Sequence, residues 1–286
     1  MKHRISKRFM LSVMVGAGIC ISFQAQIPAD AGSGEKPEDE QSFQDYVVKT
    51  YSDPDTGIGR FALYRKEKLI YQKRNHHFYI GLVDREDKAG NELVAMGRDL
   101  TGKGIPNLLI SEWSGGAHCC FSFHLFEIGK KFRKIAEIKA GDSDLAGFKD
   151  LDKDKRLEFI GNDWTFAYWH TSFAQSPAPQ IILRFQNDQY ILAVDLMRKP
   201  VPTALEIDSR IHEIRKSESW REKEPPVDLW TWMLELIYSG HAKLAWDVFD
   251  KSWPEKVAGK NKFLSEFHLR LSKSLYWPQI KKMNGI

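Results

Sequence analysis

Cysteine is scarce in this 286-residue chain: there are three, Cys20, Cys119 and Cys120, and no spacing that matches a familiar zinc finger. A glycine-rich phosphate loop, a serine-hydrolase elbow and an H-E-x-x-H pair are missing too, so common signatures of nucleotide binding, acyl transfer and zinc proteolysis are lacking. Long hydrophobic runs are absent as well. The apolar stretch Phe9–Phe23 is shorter than the roughly 20 residues that a spanning helix needs. The formal charge of +4 belongs mainly to the first residues. Cleavage after Ala31 would remove four of the 42 basic side chains and one of the 38 acidic ones, leaving +1. Without a concentrated basic footprint, nucleic acid is not an expected partner.

What is present at the N-terminus has the form of a secretory leader over residues 1–31. Lys2, Arg4, Lys7 and Arg8 precede the apolar stretch, and Ala29-Asp30-Ala31 is a small-x-small cleavage site. The expectation is a periplasmic or secreted protein with no membrane span after cleavage. Cys20 raises a lipid-anchored alternative, against which Ile19 is a poor fit. Two cysteines would then remain, in a compartment that permits disulfides.

With 42% hydrophobic and 12% aromatic residues the rest of the chain is globular. Residues 32–44, rich in Gly, Glu, Asp, Ser and Pro, read as a flexible linker. Three hairpin patterns follow: Phe61 to Tyr71 around Arg65–Lys68, Phe121 to Ile138 around Gly129–Lys131, and Ile181 to Val194 around Gln186–Asp188. Their starts lie sixty residues apart each time, which marks an internal repeat of propeller-blade size. Beyond Pro200 the period changes. Trp230, Met233, Leu234 and Ile237, then Ala242, Ala245, Trp246 and Phe249, fall at helical spacing around Ser239-Gly240, and Lys262 to Leu275 is a third helical candidate. The predicted fold class is mainly β, with blade-like antiparallel repeats over 45–222 closing as a partial propeller or sandwich. A helical hairpin or three-helix cap occupies 223–286.

Two oxygen-rich turns precede short apolar strands. A calcium ion takes roughly six to eight oxygens, offered by loops at alternate positions. Asp150, Asp152, Asp154 and Glu158 fall at positions 1, 3, 5 and 9, with the carbonyl of Arg156 at 7; Lys155 stands where glycine usually makes the sharp turn. The other turn offers Asp99, Thr101 and Asn107, but Lys103 takes its fifth position with an ammonium group able to stand where an ion would be. The competing reading of both is an Asx-type turn whose acids bond nearby backbone N–H groups. The runs D-L-T-G-K-G-I-P-N-L-L-I and D-L-D-K-D-K-R-L-E-F-I resemble the calcium loops of FG-GAP or VCBS-type repeats, the blades of integrin-like β-propellers. The resemblance covers roughly residues 55 to 195. It implies β-blades, structural Ca²⁺ and surface recognition, and it does not imply an enzyme. Three blade-like units are fewer than the roughly 4 to 8 of a usual propeller.

Between the first turn and the second hairpin lies Ser114-Gly-Gly-Ala-His118-Cys119-Cys120. Three readings stay open there: a vicinal disulfide between Cys119 and Cys120, a buried reduced pair, or a functional cluster. The last would be a soft-metal site of His118 with His124, or a thiolate nucleophile activated by His118. His76-His77, His170 and the aromatics Trp164, Phe166, Tyr168 and Trp169 could line a sugar or peptide site, or serve as core and edge packing. Tyr238 to Phe249 resembles one tetratricopeptide-type hairpin, which cannot bury both faces alone. The functional expectation is an exported non-catalytic binding or scaffold protein of the cell envelope, taking a protein or envelope ligand and clipped by calcium. The alternative is an envelope hydrolase or thiol enzyme using His118, Cys119 and Cys120.

Overall fold

Strands in this chain pair with their neighbours in sequence, and they do so in groups of four. The computed structural model describes residues 36–83, 93–117, 119–143, 145–222 and 224–286, so the leader and its cleavage site lie outside the described residues. The first sheet is an antiparallel meander of β1 (Asp39–Phe43), β2 (Tyr46–Ser52), β3 (Gly59–Arg65) and β4 (Lys68–Asn75). The second contains β5 (His77–Ile80), β6 (Asn107–Gly116), β7 (Cys119–Ile128) and β8 (Phe132–Gly141). The third contains β9 (Gly147–Lys149), β10 (Glu158–Asn162), β11 (Gln180–Gln186) and β12 (Gln189–Leu192). The three predicted hairpins are the third and fourth strands of each sheet, so the sixty-residue recurrence marks equivalent positions.

β1 lies within the stretch expected to be a linker. Its sequence, DEQSF, is polar because it forms an outer edge, yet all five residues pair with β2 from Asp39↔Thr50 to Phe43↔Tyr46. Edge strands bury one face at most, so charge on the other costs little. The linker assignment of residues 39–43 is therefore corrected.

The second sheet carries apolar residues on both faces, as alternation along its strands requires. Leu108 and Ile110 of β6 and Phe126 and Ile128 of β7 meet Tyr46, Val48, Phe61 and Leu63 of the first sheet in one core. Leu109, Phe123, Leu125 and Ile138 join Phe148, Phe159, Ile181 and Leu183 of the third sheet in the other. The three sheets thus share two apolar interfaces, with the second sheet in both.

The helical part is larger than a three-helix cap. Beyond a single turn, α1 (Val194–Met197), the chain forms α2 (Ala204–Lys216), α3 (Val227–Tyr238), α4 (Ala242–Ser252), α5 (Lys260–Leu271) and α6 (Trp277–Asn284). A capping box at Thr203 and Glu206 starts α2: each side chain meets the other's backbone N–H. Eight of the twelve residues of α3, among them Trp230 and Trp232, are buried, so this helix is the centre of the unit. Gly240, at φ +91°, supplies the left-handed turn into α4. Residues Gly34–Ile286 form one compact unit, in which the helices share the larger core with the second and third sheets.

A buried carboxylate fastens helices to strands. Asp163, just after β10, accepts from the hydroxyls of Tyr238 of α3 and Ser274, between α5 and α6, both at 2.5 Å. Its other oxygen takes the Thr165 amide at 2.9 Å and the Thr165 hydroxyl at 2.5 Å. Burial and the Asp163 charge push the Tyr276 phenol up to about 12.

Candidate functional site

The second acidic turn joins β9 to β10 and brings together three of its four acids. Asp150, Asp152 and Glu158 each place one carboxylate oxygen so that all three lie within 4.8 Å of one another. Glu158 is fully buried, Asp150 half-buried and Asp152 exposed. The turn closes through backbone donors: Asp150 accepts from the amides of Asp154 at 3.1 Å and Lys155 at 3.0 Å, and Glu158 accepts from the Leu151 amide at 3.0 Å. Lys155 adopts φ +72° and Lys153 φ +63°, so two lysines take the left-handed geometry that glycine would provide at less cost.

Asp154 does not join the converging set. Its carboxylate binds the Arg156 guanidinium, through Nε at 2.6 Å and again through Nη2, and accepts the Arg156 amide at 2.8 Å. These hydrogen bonds, ahead of an opposing cost of burial, hold its carboxyl below the usual range. Arg156, whose carbonyl is the expected fifth oxygen, is engaged with Asp154 through amide and side chain alike. Hard, anionic oxygens in a small volume fit a divalent cation such as Ca²⁺. The fitting set comprises Asp150, Asp152 and Glu158, without Asp154.

A cation of the chain itself also stands at this turn. The β10–β11 register pairs Phe159 with Leu183, which puts Arg184 across from Glu158. The Arg184 guanidinium donates to Glu158 at 3.3 Å, to Asp152 at 2.8 Å and to both oxygens of Asp195, at the start of α1, at 3.2 and 3.1 Å. Burial pushes the Glu158 carboxyl up, against the Leu151 and Arg184 donors, and the charge of Asp152 adds to the rise. Burial would lower the Arg184 pKa, but Asp195 and Glu158 outweigh it and the net shift is upward. On β12, the Tyr190 hydroxyl is buried with no hydrogen-bond partner among the described residues. Burial first, then the nearby charges of Glu158 and Asp99, raise its pKa.

The first acidic turn is closed on itself. One oxygen of Asp99 accepts from the amides of Thr101 and Gly102, both at 2.9 Å, and from the Thr101 hydroxyl at 3.1 Å; the other accepts the Gly104 amide at 2.6 Å. The Asn107 side-chain Oδ1 takes the Leu100 amide at 2.8 Å. These contacts are those of an Asx-type turn. Lys103 does not enter it but pairs with Asp188, in the β11–β12 turn, and lies 3.7 Å from Glu127. The two turns touch: the Leu157 amide donates to the Leu100 carbonyl at 3.0 Å, and a methyl group on Gly102 would collide with the methylenes of Arg156.

At the β6–β7 tip Cys120 is disulfide-bonded, and its amide donates to the Ser114 hydroxyl at 2.8 Å. His118 and the Cys119 side chain lie outside what is described. His124 is not at this tip. It is wholly buried between the first and second sheets, its Nε2 against Glu112 and 3.3 Å from the Lys73 ammonium, its Nδ1 3.5 Å from Glu137. Asn75 donates to the other oxygen of Glu112. Burial alone would raise the Glu112 carboxyl, but His124, Lys73 and Asn75 bring it down to about 2. Sequence reading missed this cluster, although Glu112 continues the inward alternation Leu108, Ile110, Glu112.

The aromatic residues divide between packing and surface. Phe166 and Trp169 pack tilted or edge-on among Phe267, Phe263 and Trp230 of the helical core, whereas Tyr168 is 60% exposed. Trp164 lies flat on Phe173 at 5.2 Å. His76 packs over Gly115, His77 stands 3.9 Å from Glu38, and His170 stands 3.5 Å from Glu266. Among the described residues no helix is long and apolar enough to cross a membrane. No family model, curated protein or solved structure matches this chain.

Proposed function

We propose that this chain is an exported, non-catalytic binding or scaffold protein of the cell envelope. Its sheets act as blade-like repeats of a partial propeller or sandwich, in the manner of FG-GAP or VCBS-type repeats, and its β9–β10 turn is clipped by Ca²⁺. One observation carries the reading: Asp150, Asp152 and Glu158, which the spacing of the turn picks out, converge to within 4.8 Å on the β9–β10 connection. A bound cation would relieve the repulsion among these carboxylates and tie β9 to β10. The role that follows is structural, holding the surface of the sheets in shape for a protein or envelope ligand.

The test is thermal unfolding of residues 32–286 in calcium and in chelator. Free metal at 100 times the dissociation constant adds about 2.7 kcal/mol to the native state. For a chain of this size that raises Tm by roughly 5–10 °C. Asp152→Ala should remove most of the increment, and Thr101→Ala, in the self-closed first turn, should leave it intact. Midpoints that coincide across millimolar calcium would sink the assignment.

A further inference from the structure

We infer that Arg184 is an internal competitor of the metal at the β9–β10 turn, so that the cation binds by exchanging with a guanidinium; this rests on the calcium reading above. Two features of the structure carry the inference.

The first is that Arg184 spends its donors on two of the three converging acids. It reaches Asp152 at 2.8 Å and Glu158 at 3.3 Å, and its side chain is only 18% exposed. Two cations held by the same carboxylates repel each other strongly in such a place, where Coulomb terms are screened far less than in water. Metal binding therefore requires the guanidinium to withdraw.

The second is that a place exists for it to withdraw to. Asp195 already receives two hydrogen bonds from Arg184, and its own side chain is 62% exposed, so a guanidinium that lets go of Asp152 and Glu158 remains paired and gains water. Asp195 opens α1, the first element after β12, so the exchange would pull Arg184 from the strand connection toward the helical side of the fold.

Isothermal calorimetry with CaCl₂ on residues 32–286 tests the exchange through two substitutions of opposite sign. Arg184→Gln removes the competitor and should tighten calcium binding on the order of ten-fold, equivalent to about 1.4 kcal/mol. Asp195→Asn removes the place of withdrawal and should weaken it several-fold; because Asp195 is exposed, this variant tests the idea even if Arg184→Gln folds poorly. Lys153→Gln, which takes an equal charge from the same turn, is the control for a general field effect. Tightening confined to Arg184→Gln, with weakening in Asp195→Asn, supports exchange; where wild-type binding is too weak to measure, binding that emerges in Arg184→Gln and not in Lys153→Gln supports it. Equal tightening in Lys153→Gln, or unchanged affinity in Arg184→Gln against a wild type that binds, overturns exchange and leaves the calcium reading standing. No binding by any variant overturns both.

Discussion

Replacing Asp163 with alanine tests what fastens the helices to the strands. The carboxylate is 5% exposed and accepts four hydrogen bonds, two of them from residues 75 and 111 positions away, Tyr238 and Ser274. A hydrogen bond to a charged group is worth about 1.5–3 kcal/mol, so those two together give roughly 3–6 kcal/mol. Loss of the Thr165 amide bond adds about 1 kcal/mol, by analogy with a helix cap. Bonds that share one acceptor do not add fully, and a net loss of about 4 kcal/mol is expected. Urea unfolding followed by tryptophan fluorescence and by far-UV circular dichroism reads this directly. Tyr238→Phe should cost only ~1–2 kcal/mol, because Asp163 keeps its other donors. The Tyr238→Phe and Ser274→Ala pair should show coupling in a double-mutant cycle, since both hydroxyls meet the same oxygen. A loss below ~1 kcal/mol in Asp163→Ala would refute the reasoning and put the fastening in the apolar core alone.

Acid should loosen the interface between the first and second sheets. Glu112 has its carboxyl depressed to about 2 from 4.5, so its contribution is fully present above pH 4.5 and is lost as pH falls toward 2. A shift of that size corresponds to about 3 kcal/mol, and Glu112→Gln should flatten the acid limb of a stability–pH curve; an unchanged limb would count against the cluster. Lys155→Gly should stabilise the chain by about 0.5–1 kcal/mol in chemical unfolding, because glycine takes φ +72° at little cost. A loss of stability there would mean that the lysine side chain contributes more than the strain.

The hairpins were legible because their turns announce themselves. Asn187 and Asp188 both take positive φ, as do Lys66 and Glu67, and short apolar runs flank the turns. β1 was hidden by composition: an edge strand of Asp, Glu, Gln and Ser carries the same residues as a linker. α2 was missed although its capping box, Thr203 to Glu206, stood in the sequence, because only two of its thirteen residues are buried and the apolar stripe is thin. At the turn the acids were found by spacing within nine consecutive residues. Arg184 could not be, since it lies 26 residues beyond Glu158 and arrives only through the β10–β11 register. The diversion of Asp154 follows from its neighbour Arg156, two residues on, a local pairing that alternate spacing does not reveal.

Strands that pair only with their sequence neighbours shape how such a chain acquires its structure. Sheet pairing joins β1 through β4, then β5 through β8, then β9 through β12, and among the described residues no strand waits for a partner from a later sheet. Loop-closure entropy within each sheet is correspondingly small. Synthesis adds about 5–20 residues per second, while a hairpin forms in about 1–10 µs, so each meander has time to pair before the next has been made. The apolar faces mature later: the second sheet completes the first core, and the larger core waits for Trp230, Phe249 and Phe267. Phe159, Ile181 and Leu183 can pack on the second sheet as soon as the third is made, but the remainder of the larger core closes only when the helices arrive, which makes the nascent chain most prone to aggregation in its last third.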